Sequence, residues 1–102
     1  MTYRVRFTPV ALDDLERLYD FALQRDDGDW TIAERALAAI GNGIVLLETS
    51  PFSCRKAQPD NGLLRELLIT FGASGYVALF EIDDAKTVTV LAVRHQREDD
   101  FH

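Results

Sequence analysis

Cysteine is almost absent from this chain. Cys54 stands alone, which excludes an internal disulfide and any metal site built of several thiolates, and agrees with a reducing, cytoplasmic location. Long apolar runs are missing as well. No stretch approaches the roughly 20 residues that a membrane-spanning helix needs, so no membrane role is expected. The opening MTYRVRFTP puts arginines where an export signal would carry apolar residues, and export is not expected. Basic charge is in short supply: eleven Lys and Arg face seventeen Asp and Glu, for a net charge of −6. Long-range attraction of the whole molecule to nucleic acid is therefore not expected. A phosphate-binding glycine loop, HExxH, G-x-S-x-G and a Cys-x-x-Cys pair are all lacking. The sequence thus calls for no cofactor and no metal.

What is present fits one globular domain over residues 1–102, with 47% hydrophobic and 27% charged residues. YRVRFT alternates, with Tyr3, Val5 and Phe7 on one side and Arg4 and Arg6 on the other, as a half-buried strand does. A helix is predicted from Pro9 to Arg25. Thr8 is placed to cap it, Pro9 suits its first position, and Asp13, Asp14 and Glu16 favour its early turns. Leu12, Leu15, Tyr19 and Ala22 form its expected inward stripe. After the DDGD turn, Thr31 and Glu34 have the spacing of a capping box. They open a second helix whose inward face is Ala33, Leu37, Ile40, Ile44 and Leu47. Gly41 and Gly43 imply close approach to a neighbouring backbone, with the first helix the expected neighbour, and a kink in the helix is the alternative.

SPFSCRKAQPDNG has two prolines, a glycine and no periodicity, and is predicted to be a loop. LLRELLITF, GYVALFEI and TVTVLAVR follow as three strands joined by GASG and DDAK, an antiparallel meander. The order β-α-α-β-β-β makes the class α+β: a helical hairpin packed on one face of a mainly antiparallel four-stranded sheet. The other face of the sheet is expected to be open to a partner.

The carboxylate clusters are read as structural, as helix-start and hairpin-turn residues. The arginines carry more information. Arg65 interrupts an apolar strand, and Arg94, His95 and Arg97 lie at the exit of the last one. Arginines at the edge of a sheet suit a phosphate backbone or an acidic protein segment. His95, with an ordinary pKa near 6.5, is the available acid or base.

YRVRFTPVALDDLERLYDF, LRELLITFGASGYVALFEI and VTVLAVRHQRE together resemble the ParE/RelE superfamily of bacterial type II toxins, over about Tyr3 to Glu98. The pairing of LRELLITFGASGYVALF with LAVRHQRE resembles the ParE branch, whose members are linked to plasmid stabilisation. The resemblance implies a toxin held in a hetero-oligomer by a cognate ParD-like antitoxin, whose C-terminal segment folds on binding. It implies poisoning of DNA gyrase by binding, with Arg65, Arg94, His95 and Arg97 as the target-binding set and no catalytic residue. The RelE branch implies a ribosome-dependent messenger RNA endoribonuclease instead, with Arg65, Arg94 and His95 as its catalytic group. The late tyrosine typical of that branch has no counterpart among His95, Gln96 and Arg97, and the acidic total fits ribosome binding poorly. A family member that binds only its antitoxin is the third alternative.

Overall fold

The computed structural model describes residues 2–25, 30–72 and 74–96. Strand β1 (Arg4–Phe7) leads into helix α1 (Pro9–Arg25), followed by α2 (Trp30–Leu46) and the 3-10 turn Pro51–Ser53. Strands β2 (Arg55–Gln58), β3 (Asn61–Phe71), β4 (Ser74–Ile82) and β5 (Thr87–His95) complete the described chain. The sheet has five strands in the order β1-β5-β4-β3-β2. Only the β1–β5 pair is parallel, and the rest of the ladder is antiparallel.

The class is α+β as the sequence implied, with one more strand than expected. β2 lies in the segment predicted to be a loop. Its RKAQ sequence has no apolar alternation because it is an edge strand whose side chains are largely exposed. It forms because its backbone can pair with β3, with Arg55 opposite Glu66 and Lys56 opposite Arg65. Helix α1 keeps its predicted bounds. The Ala11 backbone N–H donates to Thr8 Oγ1 at 3.1 Å, and the Thr8 hydroxyl itself donates to the Leu91 carbonyl at 2.9 Å. One threonine therefore caps the helix and ties it to β5. Helix α2 begins at Trp30, so Thr31 lies inside its first turn and is not the residue before it.

The core forms where the inner stripes of both helices meet one face of the sheet. Ala11, Leu18, Ile40 and Ile44 pack against Leu67, Ile69, Ala78, Phe80, Val88 and Val93. Phe80 is fully buried, a burial that contributes about 2–3 kcal/mol. Of the predicted inward residues, Leu12 faces out at 54% exposure, and Leu37, 42% exposed, lies at the seam with α1 beside Leu15 and Tyr19. The stripe of α1 is centred on Ala11 and Leu18, one residue round from the predicted one. Gly43 does mark a close approach, but to β3. A Cβ there would lie 2.8 Å from Ile69 Cγ1, so the absent side chain lets α2 sit down on the sheet. Gly41 has open space around it and makes no such contact.

The β3–β4 hairpin closes at Phe71 opposite Ser74, around Gly72 with φ 63°, a left-handed conformation that glycine adopts without penalty. At the other end, Asp83 and Asp84 shape the turn into β5. Asp84 accepts the Lys86 backbone N–H at 2.7 Å, and Asp83 accepts the Thr89 hydroxyl. Their turn role is the one predicted from sequence.

Asp14 has a different structural role from the expected helix-start electrostatics. It is buried, and Oδ2 accepts the backbone N–H of Val93 at 2.9 Å. Val93 follows the irregularity where Leu79 pairs Ala92 but Phe80 pairs Val90, which leaves Leu91 as the extra residue. β1 pairs with β5 only as far as Val90, so beyond it, at and after the irregularity, backbone groups on that side of β5 need other partners. Here Thr8 and Asp14, both brought by α1, take up the Leu91 carbonyl and the Val93 N–H.

Candidate functional site

Side-chain alternation sorts the sheet into two faces, and the sorting decides what the predicted site residues can do together. On β3, Leu67 and Ile69 point into the core, so Arg65 points to the same helix-covered face. Leu64, Glu66, Leu68 and Thr70 point to the reverse face. Arg94 is paired with Val77, which in turn opposes Leu68, and Arg94 therefore lies on the reverse face. His95 is paired with Tyr76 and lies on the helix side. Arg65 shares its row with Phe80, three positions along β3 from the row of Arg94. The three residues are thus divided between two faces and do not converge. Arg97 lies outside the described residues.

Arg65 is occupied by its own chain. Its Nε donates to the Gly62 carbonyl at 2.8 Å, and Nη1 donates to the carbonyls of Cys54 at 2.7 Å and Phe52 at 3.0 Å. The guanidinium also lies 5.1 Å from the centroid of the Phe52 ring, a cation–π contact. This planar fork braces the 3-10 turn and the start of β2 against β3. The cross-strand ion pair belongs to its neighbours, Arg55 Nε to Glu66 Oε1 at 3.0 Å. Cys54 is half-buried beside this brace, and burial pushes its thiol pKa up, the opposite of what activates a nucleophile.

Arg94 turns along the end of its own strand, donating from Nη1 to the carbonyls of His95 at 3.2 Å and Gln96 at 3.4 Å. His95 Nε2 is 3.1 Å from Ser74 Oγ, and its ring meets Tyr76 edge-on at 5.5 Å. The Gln96 N–H donates to the Gly75 carbonyl at 2.8 Å, so pairing continues past the last strand residue. The edge that the sequence singled out is built and held, not frayed.

The reverse face has no helix over it among the described residues. Leu68 is 49% exposed there, although Val77 and Ala92 are buried. In the parallel register Arg4 opposes Thr87 and Arg6 opposes Thr89, so both β1 arginines share this face with Arg94. The strands as a whole carry Arg4, Arg6, Arg55, Lys56, Arg65 and Arg94 against only Glu66 and Glu81. A chain that is acidic overall thus has a basic sheet, a feature that net charge conceals. Among the described residues no group of three or more His, Cys, Asp or Glu is placed to hold a metal. No helix among them is long and apolar enough to cross a membrane.

A helical hairpin on one face of a mixed sheet, with arginines on the bare face and at the strand exit, defines a small α+β domain. Over residues 5–100 the chain matches the family of ParE toxins of type II toxin–antitoxin systems, parDE, and it belongs to that family. Its fold is similar to that of a chain in the chromosomal ParDE toxin–antitoxin system from P. aeruginosa. The TM-score is 0.70 at 18% identity, over 91% of this chain and 95% of that one. No curated protein matches the sequence.

Proposed function

We propose that this ParE-type toxin acts by binding DNA gyrase and is neutralised by a ParD-type antitoxin encoded with it. The observation that carries the binding reading is the division of Arg65, Arg94 and His95 between opposite faces of the sheet. Cleavage of a phosphodiester would need cationic and acid–base groups around one phosphate. Here Arg65 is spent on three carbonyls, and His95 faces away from Arg94. An inhibitor that binds requires only a rigid edge of complementary charge, which Arg94 and the neighbouring strand exit supply. Arg94, His95 and Arg97 are the proposed target contacts, and Arg65 supports them indirectly as the brace of the 50–62 segment.

The test is supercoiling by purified gyrase with added toxin, alongside transcript integrity in a translation extract. Loss of supercoiling with intact transcripts is expected. Undiminished supercoiling at high toxin excess would refute the gyrase reading, and transcripts cut within codons would establish the nuclease instead. Alanine at Arg94, His95 and Arg97 together is expected to abolish inhibition while antitoxin affinity and thermal stability hold.

A further inference from the structure

Strand β5 loses its outer neighbour halfway along. β1 pairs with it from Arg4 opposite Thr87 to Phe7 opposite Val90, and at Pro9 the chain leaves the sheet for α1. The strand exit that carries Arg94 and His95 lies beyond that last pair. On its inner side β4 holds it. Tyr76 opposes His95, the Gln96 N–H donates to the Gly75 carbonyl, and Ser74 Oγ is 3.1 Å from His95 Nε2. Arg94 bonds the carbonyls of His95 and Gln96, but these contacts lie within the exit segment and move with it. They cannot anchor it to the body of the domain.

On the outer side, what β1 gives up is taken over by the start of α1. The Thr8 hydroxyl donates to the Leu91 carbonyl at 2.9 Å, and Asp14 Oδ2 accepts the Val93 N–H at 2.9 Å. The rise from Thr8 to Asp14 is about 9 Å along a helix, and the step from Leu91 to Val93 is about 7 Å along a strand. Helix and strand advance together, so two side chains stand in for two rungs of the missing strand. The Asp14 rung is the stronger, because its acceptor is charged and 4% exposed. The other carboxylate oxygen, Oδ1, is 3.8 Å from Arg17 Nη2, which leaves Oδ2 to the strand. Asp14 grips the residue immediately before Arg94. Successive strand side chains alternate, so holding Val93 with its side chain in the core holds Arg94 on the bare face.

We propose that Asp14 is a positioning residue for the target contacts. From the body of α1 it anchors the exit of β5, and so sets how Arg94 and His95 are presented, without touching the target itself. The inference rests on the gyrase reading above and adds to it a buried residue on a different element, 79 positions from its backbone partner.

Inhibition of gyrase supercoiling and amide hydrogen exchange, measured on the full chain at a temperature where circular dichroism shows every variant folded, test it. Asp14→Ala is expected to need at least about tenfold more protein for half inhibition, the effect of losing one hydrogen bond to a charged acceptor. Exchange at Val93 and His95 should quicken while the β3–β4 ladder stays protected. Asp14→Asn keeps an acceptor oxygen and is expected to recover most of the inhibition. Arg17→Ala should inhibit like the parent. Ile82→Ala is the control for stability, since Ile82 is 3% exposed and pairs with Val88, at the far end of β4 from the exit. It should lower Tm at least as much as Asp14→Ala yet inhibit like the parent. Full inhibition by Asp14→Ala, no recovery in Asp14→Asn, or an equal loss in Ile82→Ala overturns the positioning role and leaves the gyrase reading standing. A parent that leaves supercoiling undiminished at high excess overturns both.

Discussion

Replacing Asp14 by alanine removes the carboxylate that accepts the Val93 N–H at 2.9 Å from inside the core. Asp14 is 4% exposed, so water cannot readily take its place, and the N–H beside the bulge is left without an acceptor. Stranding a buried donor costs about 1–3 kcal/mol, with charged acceptors towards the upper end. A value near 2 kcal/mol is about 4–8 °C per kcal/mol in a domain of this size, or roughly 8–16 °C in Tm. Asp14→Asn keeps an acceptor oxygen of the same shape and is expected to lose about half as much. The contact of Asp14 with Arg17, at 3.8 Å and on an arginine side chain that is 42% exposed, belongs to the class of pairs worth at most about 1 kcal/mol. Arg17→Ala is therefore the mild member of the series. Urea and thermal unfolding of the three variants give the order Asp14→Ala, Asp14→Asn, Arg17→Ala from most to least damaging. Asp14→Ala within about 0.5 kcal/mol of the parent, the range of an ordinary surface change, would refute the view that this carboxylate closes the bulge.

Gly75 should not tolerate any side chain, because a Cβ there would sit 2.0 Å from the Ile69 carbonyl oxygen. Gly75→Ala is expected to lower stability by about 3 kcal/mol or more, whereas Gly41→Ala, with open space at the Cβ, should raise it by about 0.5–1 kcal/mol, both read by urea unfolding. The Lys86 backbone N–H holds the Asp84 carboxyl below the usual carboxylate range. A lowered folded-state pKa stabilises at pH values above the unfolded pKa, and the gain is lost as pH falls through the folded value. Asp84→Ala should accordingly flatten the acid limb of the stability profile, and a carboxyl NMR titration of Asp84 at the ordinary position would contradict this.

Elements with a strong period were legible in the sequence, and those made by long-range pairing were not. The bounds of α1 followed from Thr8, Pro9 and the spacing of its leucines, all local signals. The fifth strand left no such trace. RKAQ owes its conformation to β3, and its side chains, facing solvent on an edge, carry no alternation. The inward stripe of α1 was misplaced because Asp14, polar by sequence, is one of its buried positions. Asp14 was expected to serve the helix start, whereas its carboxylate accepts the Val93 N–H of β5, some eighty residues away. Arg65 illustrates the same limit within the candidate site. An arginine in an apolar strand signals that a partner exists, but the sequence could not say that the partner was the backbone of residues 52, 54 and 62. The alternation of β3 and β5 did hold the information that Arg65 and Arg94 face opposite ways. Extracting it required the register between the strands, including the single-residue slip at Leu91 that sets the faces of Ala92, Arg94 and His95.

The register also accounts for how an acidic chain keeps basic edges. Helices α1 and α2 carry Asp13, Asp14, Glu16, Asp20 and Glu34 against Arg17, Arg25 and Arg35, while the strands carry the excess of arginine. The core layer separates the helix acids from the strand arginines, although Glu66 and Glu81 share the reverse face with Arg4, Arg6 and Arg94, and attraction between exposed charges fades over about 8–10 Å at physiological salt. A partner that approaches the sheet therefore meets its own local charge, not the net −6 of the molecule. The position of the arginines relative to the two faces is what gives this arrangement its use. Arg4, Arg6 and Arg94 stand on the face that α1 and α2 leave bare, with Arg4 and Arg6 exposed and Arg94 half-buried along its own strand end. Moving any of them by one strand position would turn its side chain into the core, where an unpaired guanidinium costs several kcal/mol. The same alternation that buries Val88, Val90 and Val93 thus fixes which charges the sheet presents.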